Sequence, residues 1–425
     1  MNLKTRIGNS RLAQDSLWAV CGNGLGYGLL LIAGIIIANF LGADVYGEYG
    51  LVKVTMLYIA GFATLGLGIS STKFIANALK EEYSSIKSLA RDAMQITLIF
   101  STLLASLLVV FAIPLAHFLK EPGLVPAFRV LGAIVICKAL NSTQNGILAG
   151  FGDFRAIAQN NVASGLLMLG SCIPLTYFYK LDGAFVALFI SQAFNAVLNW
   201  LSLRKRLRTL KRQKPVSRKK DLVLFSFPIA LQELNYTVCS WGGIALLTKL
   251  SSVGQVGIYT AVNQWNGVIT FIPGLLSNVV LSHLSGTTDN VKAHRHTLMT
   301  MLGVNFITTL LPFLIVFALA DWITDTFYGP SFVGMGSVFR VMTLATVFSA
   351  CSVVLYSELI SYGHNWISLI CRILQESTLF FAGWFLLLHW RNQAGAFCFA
   401  TAYLISAIIS FLAPLVCLFI FAKKN

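Results

Sequence analysis

The chain has 425 residues, 56% of them hydrophobic and only 11% charged, with a mean hydropathy of +0.75. Soluble domains carry roughly 25% charged residues, so this composition excludes a soluble globule built around one core. The formal charge of +15 invites a nucleic-acid reading, but the bases flank long uncharged apolar runs that a nucleic-acid-binding domain does not need.

A helix crossing a bilayer takes about 20 apolar residues. That rule places twelve helices, over residues 16–40, 47–70, 93–117, 125–149, 156–178, 183–203, 222–248, 256–281, 297–320, 331–360, 366–389 and 394–421. The expected fold class is an all-α membrane protein. Lys4, Arg6 and Arg11 precede the first helix. The uncharged run that follows, Ser16 to Ala43, is too long for the apolar part of a cleavable signal. Between the sixth and seventh helices lies Arg204–Lys220, with ten Lys or Arg in seventeen residues and no acid. It reads as a basic cytosolic linker (204–220) between two membrane-embedded halves, 1–203 and 221–425.

Short loops that collect Lys and Arg stay in the cytosol. With a cytosolic N-terminus, one side gathers Lys73, Lys80, Lys87, Arg91, Arg155, the linker, Lys292, Arg295, Lys423 and Lys424 as well as the N-terminal bases. The other side gathers only Lys120, Lys180, Lys249 and Arg391. Both termini are therefore expected in the cytosol. The halves also resemble each other. Gly47-Glu48-Tyr49 matches Gly257-Ile258-Tyr259 at an offset of 210, and Gly152 matches Gly363 at an offset of 211. Six is an even number, so a duplicated six-helix unit gives parallel repeats.

Prolines fall inside helices at Pro114, Pro174, Pro228, Pro273, Pro312 and Pro414, each removing a backbone hydrogen bond. Pro273-Gly274 reads as the functional bend; general tolerance of Pro in membrane helices is the other account. The eight cysteines all lie in apolar runs without a CxxC pair, which reads as packing, not disulfides or metal ligation.

Charge at membrane depth is expensive and faces either water or a partner. Bases fall within spans at Lys53, Arg129, Lys138, Arg340 and Arg372, and acids at Glu233, Glu358 and Glu376. At 1.5 Å rise per residue, Lys138 and Glu233 are the deepest, roughly 20 Å and 18 Å from a surface. Lys53 and Arg372 are shallower, and snorkelling explains them equally well. Polar stripes at i, i+3, i+4 and i+7 accompany the deep charges: Lys138, Asn141, Ser142 and Asn145; Glu233, Tyr236, Thr237 and Ser240; Asn263, Asn266, Gly267 and Thr270. Hydrogen-bonding glue between helices is the competing account of the Asn and Ser positions. HExxH, GxSxG and P-loop motifs are absent, and no cofactor is implied. His294 and His296 stand in an expected loop without a third metal ligand.

Two stretches, FLGADVYGEYGL (40–51) and NSTQNGILAGFGDFRAIAQNN (141–161), together with the twelve spans and the basic linker, resemble the bacterial polysaccharide repeat-unit (O-antigen, Wzx-like) flippases. These belong to the superfamily of multidrug, oligosaccharidyl-lipid and polysaccharide exporters. The resemblance implies two six-helix lobes around a central cavity. The cargo would be an undecaprenyl-diphosphate-linked oligosaccharide, moved from the cytosolic to the periplasmic leaflet of the inner membrane. It also implies the phospholipid bilayer, a polysaccharide polymerase and chain-length proteins as partners, and no nucleic acid. Candidate substrate contacts are Lys53, Lys138, Arg340, Arg372, Asn141, Asn145, Tyr236, Asn263 and Asn266, with Glu233 and Glu376 as ion-coupling carboxylates. The rivals are a cation-coupled multidrug extruder of the same fold and, further off, a membrane ligase or polymerase.

Overall fold

The structure is a computed structural model that describes residues 3–80, 86–210, 217–274, 280, 284, 291–362, 364–390 and 393–422, with side chains described over 22–420 except at 291 and 365. Among the described residues every regular element is helical. The helices are α1 (Leu3–Ala63), α2 (Leu67–Lys80), α3 (Ile86–Val110), α4 (Ala112–Phe118), α5 (Val125–Gly150), α6 (Phe154–Thr209) and α7 (Lys219–Leu250). They continue as α8 (Val253–Ile269), α9 (Val291–Ala318), α10 (Ala320–Ile323), α11 (Met335–Ser361), α12 (Asn365–His389) and α13 (Gly395–Ala422).

Nine described helices are long and apolar enough to cross a membrane. Two of them are double: α1 breaks at Gly42 (φ 72°) and α6 at Lys180 (φ 50°). With α8 added, the described chain makes the twelve expected passes. Backbone groups in lipid have no water to bond, so each pass satisfies its own hydrogen bonds as a helix. The break at Gly42 is one residue long because glycine accepts a left-handed φ that other residues resist. The second pass therefore starts at Ala43, earlier than expected. It also stops earlier: Thr64–Gly66 form a turn inside the expected 47–70 helix, with Leu65 at φ 50° and Gly66 at φ 73°. Thr64 Oγ1 donates to the Gly61 carbonyl at 2.8 Å, and the Gly66 amide donates back to Thr64 Oγ1 at 3.3 Å. Pro174, Pro228, Pro312 and Pro414 are accommodated within helices. The Pro273-Gly274 bend borders residues 275–279, which lie outside the described residues, and so do parts of the expected 256–281 helix.

The chain divides into two compact units, Met1–Leu41 with Val52–Thr237 and Gly42–Leu51 with Val238–Asn425. In the first unit α5 packs against α2, α3 and α6. Its core-facing side is Phe128, Leu131, Ile134, Val135, Ile147 and Leu148, all nearly inaccessible. Gly146 lets α5 touch α2, since a Cβ there would strike the Gly68 backbone. Thr72 Oγ1 then donates to the Gly146 carbonyl at 2.8 Å. Small residues at such crossings let membrane helices gain dispersion contacts that lipid does not provide.

At one end of this unit, α3 holds both chain segments that border the linker. Lys87 Nζ donates to the Leu210 carbonyl beyond the C-terminus of α6 at 3.0 Å. Asp92, buried, accepts from Ser217 Oγ at 3.2 Å and from the Arg218 amide at 2.8 Å, at the start of α7. A cation at a helix C-terminus and an anion at an N-terminus each complement the helix dipole. Leu203 from α6 and Leu222 from α7 complete the same apolar cluster as Ile86, Leu89 and Ala90.

In the second unit α11 is the core helix: 67% of its spanning window is buried, whereas no other span exceeds 39%. It packs on α8, α9 and α13. The segment after Gly42 crosses α8 at backbone distance. A Cβ on Gly47 would strike the Val253 backbone, one on Gly257 would strike Ala43 and Gly47, and one on Gly254 would meet Asp44. The meeting residues are counterparts at the offset of 210 seen in the sequence: 44 with 254, 47 with 257, and 50 with 260.

Candidate functional site

Within the first unit, the second pass of α1 places Lys53, and α5 places Lys138. Protein surrounds both ammonium groups, yet both side chains keep part of their surface accessible. The two cations are close enough to act on each other electrostatically. Among the described residues Lys138 has no acidic partner. Ser142, one turn along, is exposed. Asn145, on the same stripe, has a buried carbonyl oxygen with no donor among the described residues. A buried acceptor left unpaired costs about 1–3 kcal/mol, so its position calls for water or a ligand hydroxyl.

Asn141 is used differently. It is 3% exposed, and its amide donates to the Gln192 carbonyl at 3.0 Å and to Gln192 Oε1 at 3.2 Å. It ties α5 to the second half of α6, so the glue account fits its nitrogen.

Glu233 and Tyr236 lie on the part of α7 that belongs to the first unit. This stretch packs against the second pass of α1. Thr237 Oγ1 donates to the Tyr58 carbonyl at 3.1 Å, and Tyr236 meets the Tyr58 ring edge-on at 5.2 Å between centroids. Glu233 comes against Gly61, where a Cβ would sit 3.3 Å from its Oε2. Glu233 is half-buried and Tyr236 exposed.

The remaining candidates are in the second unit. Glu376 Oε2 accepts from Ser240 Oγ at 3.1 Å, joining α12 to α7. Arg372 is exposed, with its guanidinium 4.6 Å from the centre of the Tyr356 ring. Gln375 Oε1 accepts from Tyr356 Oη at 3.4 Å. Arg340 stands only five residues into α11 and makes a 2.5 Å ion pair with Asp321, both side chains partly in solvent (38% and 66%). Asn263 is half-buried on α8. Asn266, one turn on, is 4% exposed, and neither atom of its side-chain amide has a partner among the described residues. Next to it, Trp265 donates to Tyr328 Oη at 2.9 Å and Gln264 donates to Tyr46 Oη.

Two features escape a reading of the sequence. One is a ladder of asparagines in the first unit, with Ser202 at its foot. Asn160 donates to Ser202 Oγ (3.1 Å) and Asn199 (2.8 Å), Asn199 to Asn195 (2.7 Å), Asn195 to Asn161 (3.1 Å), and Asn161 to Asn23 (2.9 Å). It links α1 and both halves of α6. The other is His294, which belongs to α9 and not to a loop. It is buried, with Nε2 2.8 Å from Glu358 Oε1 and its ring against Tyr362. Among the described residues no group of three metal-ligating side chains forms.

Residues 12–281 match the family model described as polysaccharide biosynthesis protein. The chain is 23% identical, over 350 residues, to the EPS I polysaccharide export inner membrane protein EpsE of Ralstonia nicotianae (strain ATCC BAA-1114 / GMI1000), covering 80% of this chain and 78% of that one. In fold it is similar to an inward-facing multidrug resistance transporter of the MATE family, MOP superfamily (TM-score 0.75, 18% identity, 95% and 96% of the two chains). It is also similar to the lipid II flippase MurJ in an inward closed conformation (0.71, 14%, 96% and 87%). A MOP-superfamily transporter from Pyrococcus furiosus, noted for a binding pocket of reversed polarity, gives 0.68 at 18% identity over 96% and 95%.

Proposed function

Since the chain belongs to the polysaccharide biosynthesis protein family, we propose that it is a transporter that flips an undecaprenyl-diphosphate-linked oligosaccharide between membrane leaflets by alternating access. The observation that carries this reading is the Lys53–Lys138 pair. Two interacting cations, accessible inside a membrane unit and with Lys138 lacking an acid among the described residues, are poor company for a cationic drug and good company for a diphosphate. Asn145 and Ser142 beside them offer groups of the kind that bind sugar hydroxyls. The Lys/Arg asymmetry of the loops supports a cytosolic placement of both termini and the linker, and on this reading the cargo is carried from the cytosolic leaflet toward the periplasm. The 23% identity to a polysaccharide export inner membrane protein supports the same direction. Glu233 and Glu376 supply titratable carboxylates for coupling to an ion gradient.

The direct test is movement of a fluorescent lipid-linked oligosaccharide in proteoliposomes. Lys53→Gln/Lys138→Gln should cut the rate at least tenfold, while Lys53→Arg/Lys138→Arg retains most of it. Unimpaired transport by the Gln pair overturns the reading. The multidrug extruder remains the rival because Glu376, hydrogen-bonded to Ser240, gives the second unit an anionic position. Efflux of a cationic dye that depends on Glu376 and not on the lysines would favour it.

A further inference from the structure

The basic stretch around the linker does more than orient the chain. Of its described carboxylate neighbours, Asp92 is occupied by Ser217 and the Arg218 amide, Asp153 by Arg206 (2.5 Å), and Asp221 by Arg218 (3.0 Å). Arg204, Lys205, Arg208, Lys219 and Lys220 are exposed and have no carboxylate partner among the described residues. They come from two segments, the end of α6 and the start of α7, that α3 pins side by side through Lys87 and Asp92. Leu203 and Leu222, in one buried cluster, put the two segments in register.

The exposed surface changes character at that same register in both segments. On α6, Trp200 (43% exposed) and Leu201 give way to Arg204 and Lys205. On α7, moving the opposite way along the chain, Phe227, Leu224 and Val223 give way to Lys220 and Lys219. The Arg204 guanidinium lies 5.1 Å from the Trp200 ring centre, an arrangement suited to the boundary between acyl chains and headgroups. Five unneutralised cations therefore stand together at headgroup level, on a base that is fixed by a buried carboxylate and a shared apolar core.

We propose that this junction is a binding platform for the phosphate headgroups of anionic phospholipids in the adjoining leaflet. A basic cluster on a floppy segment collects lipids diffusely. Here the two backbone segments are fixed side by side and the bases lie within about a helical turn of the boundary, so headgroups are bridged between α6 and α7. A Lys or Arg near an anionic membrane surface strengthens binding by about fivefold.

The test is a titration of phosphatidylglycerol into the purified full-length protein in phosphatidylcholine nanodiscs, with bound lipid counted by native mass spectrometry. Arg204→Gln/Lys205→Gln/Arg208→Gln should weaken binding about a hundredfold, and Lys219→Gln/Lys220→Gln about twenty-fivefold. Lys292→Gln/Arg295→Gln, which removes two exposed bases from α9, is expected to change it less than twofold. Elution of each variant at the wild-type volume confirms its fold. The proposal is overturned if the α9 pair weakens binding as much per charge, because the effect is then general surface charge. It is also overturned if inorganic phosphate displaces the lipid at equal concentration, since the site is then for a free anion. Unchanged titrations in both junction variants overturn it as well.

Discussion

Gly257→Ala adds one methyl group at a backbone-to-backbone crossing in the second unit. The new Cβ would strike the Ala43 carbonyl and sit 2.9 Å from the Gly47 amide nitrogen and 3.1 Å from its Cα. All three obstacles are backbone, so no rotamer change relieves them and the helices must part. Overpacking of this kind costs about 1–3 kcal/mol. Parting also loosens the neighbouring contacts of Asp44 with Gly254 and Gly50 with Thr260, which places the expected loss near the top of that range. Helix propensity works in the opposite direction, favouring Ala over Gly by about 1 kcal/mol, and sets the control. Gly303 on α9 has nothing within 4 Å of an added Cβ, so Gly303→Ala should be neutral or stabilising. Thermal unfolding in detergent, followed by size-exclusion fluorescence, should show Gly257→Ala several degrees below wild type and Gly303→Ala at or above it. Equal midpoints for the two variants would refute the close-crossing argument.

Asn199→Leu breaks the asparagine ladder at a position with no exposure, stripping Asn160 and Asn195 of a partner. Interhelical bonds of this type are worth about 0.6–1.7 kcal/mol in membranes, so unfolding should shift by roughly 1–2 kcal/mol. Asp92→Asn removes the charge that holds the start of α7, and limited proteolysis between 211 and 216 should speed up severalfold. Cys371 and Cys417 have sulfurs 3.9 Å apart, and a mild oxidant such as diamide should join them, as read by mass spectrometry of the linked peptides. Glu233→Gln should flatten the pH dependence of transport; an unchanged profile removes Glu233 from the coupling role.

Much of the architecture can be read from the chain because membranes impose a simple rule on it. The loop expected between the fifth and sixth helices falls on the Lys180 break, and the one between the first two contracts to Gly42. The Thr64–Gly66 turn is hidden, since Leu65 continues the apolar run and only Gly66 marks it. Site residues are less legible, and the reason is spatial. Lys53 and Lys138 are 85 positions apart, and nothing local says that the fold brings them within electrostatic range. Arg340 reads as lying within a span when α11 is taken to begin at 331. The helix in fact starts at Met335, and Arg340 reaches Asp321 near its end. The asparagines of the ladder lack a helical stripe in common, because they pair across three segments of chain.

The pinning of Leu210 by Lys87, and of Ser217 and Arg218 by Asp92, has a practical side. The anchors themselves tie the end of α6 and the start of α7 to α3, on either side of the peptide between them. Both anchors lie outside the 211–216 peptide, so expressing residues 1–210 and 217–425 as separate polypeptides tests whether the Lys87 and Asp92 contacts and the shared leucine cluster suffice to pair them.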